Sequence, residues 1–154
     1  MQQSLIQQVI ELAVDSVRHD GGPFAALVVR DGVVIATGTN RVTATHDPTA
    51  HAEIVAIREA CRVLGDFRLA GCDVYSSCEP CPMCLGALFW ARPARVYFAA
   101  RQSDASAAGF DDSFIYRQID VSPAERSIPM VQVADPGANR PFEAWASKPD
   151  KKGY

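Results

Sequence analysis

The chain has 154 residues, 48% of them hydrophobic and 21% charged, with a formal net charge of −3. These are the proportions of an ordinary soluble globular protein, long enough for one domain that buries roughly two-thirds of the surface its unfolded chain exposes. No apolar run reaches the ~18 residues of a membrane span, and an isoelectric point near 5.5 with scattered Arg and Lys disfavours a nucleic acid polymer, whose phosphates need a basic face.

Residues 4–19 place Leu5, Ile6, Val9, Ile10, Leu12, Ala13 and Val17 at helical spacing, and Gly21-Gly22-Pro23 ends that helix. The amphipathic start lacks the basic opening of a signal peptide. Residues 24–29 and 33–37 are apolar, β-branched runs joined by Arg30-Asp31-Gly32, a hairpin signal. The polar stretch 40–49 reads as a loop. A helix is predicted over 50–64, capped by Thr49 or Asp47 and ended by Gly65. Strands follow at 73–77 and 95–99, with a helix between them at 81–91 entered through Pro80 and Pro82, where a missing N–H is tolerated. Residues 103–119 read as two helical pieces broken near Gly109, and 130–133 as a fifth strand; the tail after Pro136 is left unassigned. Helices between strands, after an opening hairpin, give an α/β fold: a three-layer α/β/α sandwich with a mixed sheet of about five strands, in a single domain spanning 1–154.

Two short motifs carry the chemistry. His51-Ala52-Glu53 and the run Cys78-Glu79-Pro80-Cys81-Pro82-Met83-Cys84 supply three zinc ligands and one carboxylate that need not bind metal. Catalytic zinc takes three protein ligands and keeps a fourth position for water, whereas a structural site closes it with another Cys or His. Cys81 and Cys84 are three apart, so their sulfurs share one helical face, and a helix N-terminus favours thiolate. They are chosen as ligands with His51, and Cys78 is expected to pack behind them. His51 and Glu53 are two apart, nearly opposite on a helix interior; they share a pocket only if the site lies off the helix end. Cys61 and Cys72 read as small core residues, and five cysteines, an odd number, argue against a disulfide framework and for a reducing cytoplasm. His19 reads as a helix-end cation and His46 as a loop residue, the fallback ligand. Glu79 reads as a first-turn charge.

The H-x-E and P-C-x-x-C pair resembles the signature of the cytidine deaminase superfamily of zinc-dependent deaminases. The likeness extends to bacterial guanine deaminases of this fold through Gly22-Pro23-Phe24, Asp47-Pro48-Thr49-Ala50 ahead of His51, Leu85-Gly86-Ala87, Trp90-Ala91-Arg92-Pro93, the run 108–114 and Tyr154. The resemblance implies one zinc per chain on His51, Cys81 and Cys84, with Glu53 as the catalytic proton shuttle. It implies a pocket for a small purine base, with Phe24, Asn40, Trp90, Asp112 and Tyr154 as substrate-binding residues, and guanine hydrolysed to xanthine and ammonia. It also implies a homodimer that exchanges C-terminal segments, here residues 136–154.

The residues themselves allow competing roles. Phe24 and Trp90 could sandwich a flat base or serve as core. Asn40 could donate to O6 or N7, or cap its loop. Asp112 could accept a ring N–H or cap the helix at 113–119, a task open to Asp111 as well. Composition alone reads the last six residues as disordered. Other substrates (adenosine in tRNA, cytosine, an aminotriazine) are the alternatives within enzymes, and a non-catalytic zinc-bound interaction module is the alternative outside them. Glu53 separates the two classes, because a purely structural zinc site has no need of a carboxylate there.

Overall fold

A computed structural model describes residues 1–154. The chain divides into two compact units, Met1–Ser113 and Phe114–Tyr154. In the first, four strands form one sheet in the order β2-β1-β3-β4: β1 (Ala25–Arg30), β2 (Val33–Thr39), β3 (Cys72–Cys78) and β4 (Arg95–Ala100). Asp31 and Gly32 both take positive φ (51° and 80°), the turn geometry that lets a tight hairpin follow the sheet twist. β1 runs antiparallel to both neighbours, while β3 and β4 are parallel, so the sheet is mixed as predicted. β1 is central and buried over Ala25 to Val29, which explains a continuous apolar run where a one-sided strand would alternate.

Alternation along the strands assigns the two layers. Helix α1 (Gln2–Arg18) lays Leu5, Val9 and Ala13 on Ala25, Leu27, Val29 and Tyr75. The opposite face, with Ala26, Val28, Ala36 and Val74, is covered by α3 (Ala52–Leu64) and α4 (Pro82–Ala91). Ala52, Ala56 and Ala60 recur at i, i+4 and i+8 on α3, all fully buried, and this stripe of small side chains lets the helix lie directly on β2. The contact is tightest at Gly38, where an added Cβ would sit 2.5 Å from the Ala56 nitrogen and closer still to the Ala52 carbonyl. A one-turn helix, α2 (Val42–Thr45), occupies part of the expected loop, and α5 (Gln102–Ala107) and α6 (Ser113–Ile119) are separated near Gly109, whose φ is +93°. No helix is long and apolar enough to cross a membrane.

The second unit holds most of α6, a 3₁₀ turn at Pro123–Glu125 and α7 (Arg140–Ser147), a helix in the unassigned tail. Gln118 ties its first half together, accepting from the Arg126 guanidinium through its carbonyl at 3.0 Å and from the Ser127 N–H through its side chain at 2.6 Å. The expected fifth strand at 130–133 does not form, and the sheet has four strands. A strand exists by pairing, and these residues pair with no edge in the chain; Met130, Val131 and Val133 stay exposed.

Gly38→Ala is expected to lift α3 from β2 and to destabilise the fold by about 1–3 kcal/mol in urea unfolding, the range for overpacking. A change under about 0.5 kcal/mol, ordinary for surface positions, would show that the close approach is not required.

Candidate metal centre

Both motifs sit at helix starts, and the backbone there aims their side chains together. His51 immediately precedes α3 and Cys81 immediately precedes α4, each in an extended conformation (φ −68°, ψ 156° and φ −65°, ψ 167°). Neither side chain caps its own helix. The chain turns helical directly after each, with Val55 N–H donating to the His51 carbonyl and Leu85 N–H to that of Cys81. Pro82 fits the first helical position of α4 because its missing N–H would be unpaired there.

His51 Nδ1 lies 3.4 Å from Cys81 Sγ and 3.6 Å from Cys84 Sγ. The three donor atoms all fall within 4.8 Å of one another. Bond lengths of ~2.0 Å to nitrogen and ~2.3 Å to sulfur put tetrahedral N···S edges at about 3.5 Å, so the donor set fits one zinc ion and leaves one corner without a protein ligand. Cys78 is buried but outside the tripod; its S–H donates to the Arg101 carbonyl at 3.7 Å. Burial, with the nearby Glu53 charge, pushes its thiol up to about 11. Cys61 and Cys72 are also raised by burial, as core thiols are.

The electrostatics favour a cation. Cys81 is lowered to about 4, first by its hydrogen bond with Cys84 and then, against burial, by His51. Cys84 is raised by the same bond, by burial and by Glu53. The sulfurs thus share one proton without metal, and a coordinated thiol gives its proton up. The Cys81 hydrogen bond also raises His51, with burial opposing it.

Glu53 resolves the spacing problem posed by His51. The helix starts between them, so His51 lies off the helix end and Glu53 in its first turn, and both reach the same side. Glu53 is only 6% exposed. Its Oε2 is 3.4 Å from Cys84 Sγ, and its Oε1 accepts a 3.1 Å hydrogen bond from the Ser76 hydroxyl. Burial raises its pKa, with the Cys84 and Ser76 hydrogen bonds opposing the rise.

The remaining expected residues fall in several places. Phe24 packs on the α3 side of the core and meets Phe110 edge-on at 5.0 Å. Its carbonyl accepts from the Asn40 N–H at 3.1 Å, which makes Phe24 and Asn40 neighbours. Asn40 Oδ1 accepts from the first N–H of α2 at 3.2 Å, and Gly22 lies so close that a Cβ would be 3.1 Å from the Asn40 Cγ. Asp111, rather than Asp112, takes the capping task, accepting from Ser113 N–H at 2.9 Å and from the Ser113 hydroxyl at 3.1 Å. Asp112 Oδ1 instead accepts from the Gln102 side-chain amide. Trp90 is 62% exposed, on the flank of α4 away from Cys84, Leu88 and Ala91. Tyr154 ends the second unit and is exposed.

Two polar residues escape a reading of the sequence. Ser76 carries a signal in hindsight: alternation puts it on the helix-facing side of β3, between the apolar Val74 and Cys78. Gln102 carries none. It meets Glu79, which accepts its backbone N–H at 3.0 Å, because Cys78 pairs with Ala100 across parallel strands. That contact gives Glu79 a structural task at the start of α5.

Comparisons with known proteins agree with this geometry. The family model for the cytidine and deoxycytidylate deaminase zinc-binding region matches residues 1–100. The chain is 52% identical over 153 residues to a guanine deaminase of Bacillus subtilis, covering 99% of this chain and 98% of that protein. An X-ray structure of the Bacillus subtilis guanine deaminase superposes with a TM-score of 0.99 at 51% identity, covering 100% of this chain and 99% of that one. A tRNA-specific adenosine deaminase of Agrobacterium fabrum is 46% identical over 96 residues, covering 60% of this chain and 63% of that protein. With its zinc motifs folded into a three-ligand site, the chain belongs to the cytidine and deoxycytidylate deaminase superfamily, in the branch that contains bacterial guanine deaminase.

Proposed function

We propose that the protein hydrolyses guanine to xanthine and ammonia, with one zinc ion per chain held by His51, Cys81 and Cys84. The observation that carries the reaction type is the Glu53 carboxylate, buried beside a three-ligand site that leaves a corner open. Zinc, when bound, acidifies a water from a pKa of 15.7 toward ~7. The Glu53 carboxylate lies within hydrogen-bond reach of the Cys84 sulfur, and it handles the protons. It takes one proton from the attacking water and delivers it to the ring nitrogen beside C2, then takes the second from the added hydroxyl and passes it to the departing amine.

The choice of base is supported by likeness along the whole chain to the Bacillus subtilis guanine deaminase, against likeness to a tRNA-specific adenosine deaminase over 60% of it. The acidic balance also disfavours tRNA. In this reading Phe24 offers a ring face to the purine, Asn40 donates to O6 or N7 through the amide group not engaged with α2, and Asp112 accepts a ring N–H through the oxygen turned from Gln102. Trp90 and Tyr154 complete the pocket in a homodimer whose C-terminal segments, residues 136–154, are exchanged. Support for assembly comes from α4, apolar on all sides with Leu85, Phe89 and Trp90 exposed, and from β4, whose outer edge has no partner strand. The expected compartment is the cytoplasm.

Glu53→Gln is expected to keep stoichiometric zinc, measured by atomic absorption, while ammonia release from guanine falls by about 10²- to 10⁴-fold, the range for losing a general acid–base. Retained turnover would rule Glu53 out as the shuttle. Asp112→Ala should abolish guanine turnover with little change in melting temperature, because Asp111 caps α6. If Asp112→Ala instead lowers the melting temperature and spares turnover, Asp112 belongs to the fold and not the pocket.

A further inference from the structure

The Glu53 carboxylate presents two oxygens to two different surroundings. Oε2 lies against Cys84, on the side of the metal ligands. Oε1 lies against the Ser76 hydroxyl, which donates to it at 3.1 Å from β3. Ser76 stands outside the metal ligands, so its bond to Oε1 does not compete with coordination. We infer that Ser76 is a positioning residue for the deamination: it anchors one oxygen of Glu53 so that the other stays aimed at the reacting water and base.

Several observations converge on this role. Ser76 is 2% exposed and sits at the carboxyl-terminal end of β3, paired with Ala26 on one side and Phe98 on the other. It is therefore fixed by two strands, with no freedom to follow a moving partner. Its neighbour Ser77 points to the opposite face, where its hydroxyl accepts from the Ala25 N–H at 3.0 Å. The two adjacent serines thus have separate tasks, and only Ser76 faces Glu53. Glu53 itself stands in the first turn of α3, held by backbone at one end only, and a glutamate has three side-chain torsions to fix. A hydroxyl on a rigid strand supplies the second point. General acid–base work needs the carboxylate oxygen within hydrogen-bond reach of each proton it moves, and a misplacement of about 1 Å costs on the order of 10²-fold in rate.

The inference rests on the guanine deaminase reading, and the test separates the two. Wild type, Ser76→Ala, Ser76→Thr and Ser76→Val are assayed with guanine for kcat and KM, alongside zinc content and melting temperature. Inactive wild-type holoenzyme would refute the choice of guanine, and the panel is then run on the base that is turned over. With active wild type, Ser76→Ala is expected to lower kcat by about 10- to 100-fold, with KM and zinc content nearly unchanged. Thr and Val have nearly the same shape and differ in the hydroxyl, so Ser76→Thr should be faster than Ser76→Val even if both crowd the site. Wild-type kcat in Ser76→Ala, or equal rates for the Thr and Val variants, would overturn the positioning role. So would a loss of kcat that merely tracks loss of zinc.

Discussion

The site depends on one constraint: a carboxylate and a sulfur are buried with a second, half-buried sulfur beside them, and a bound cation offsets the negative charge confined there. Two helix N-termini bring partial positive charge to the same place, but a helix end is worth about half a charge. The shared proton between Cys81 and Cys84 and the raised Glu53 mark where negative charge is confined without a full counter-charge. Zinc on His51, Cys81 and Cys84 supplies it.

The packing beneath sets the height of that site. Ala52, Ala56 and Ala60 let α3 rest on β2 at Gly38, which fixes where His51 and Glu53 emerge. Leu88 and Ala91 seat α4 on the same face, one turn and two turns beyond Cys84. β3 runs between the layers and ends beneath both helix starts, so Ser76 and Cys78 come up under the ligands. Small residues at the contacts and rigid strands below are what a reaction sensitive to sub-ångström placement requires.

Much of this was legible in the sequence because it is local. Helical spacing located α1, caps and Gly65 bounded α3, prolines opened α4, the Arg30-Asp31-Gly32 turn located the hairpin, and the three-residue spacing of Cys81 and Cys84 gave one face of one turn. The resolution of His51 against Glu53 was legible as a condition, met by starting α3 at Ala52. What was not legible is non-local. Residues 130–133 have the composition of a strand, but pairing decides strands, and no partner edge is offered within the chain. The tail helix α7 starts at Asn139 with Pro141 in its first turn, but the Asn139 side chain makes no capping bond and the helix buries no residue that a core-facing stripe would betray. Gln102 reaches Asp112 and Glu79 only because two parallel strands set the register.

The open corner of this metal site serves hydrolysis of one amino-purine. The most direct measurement is ammonia release from guanine, guanosine, adenine, adenosine, cytosine and an aminotriazine, each before and after chelation and again after zinc is restored. Release from guanine is expected to vanish with chelator and return with zinc, and release from the others to be far slower. Release that survives complete zinc removal, or a zinc-loaded protein that frees ammonia from none of the six, would contradict it.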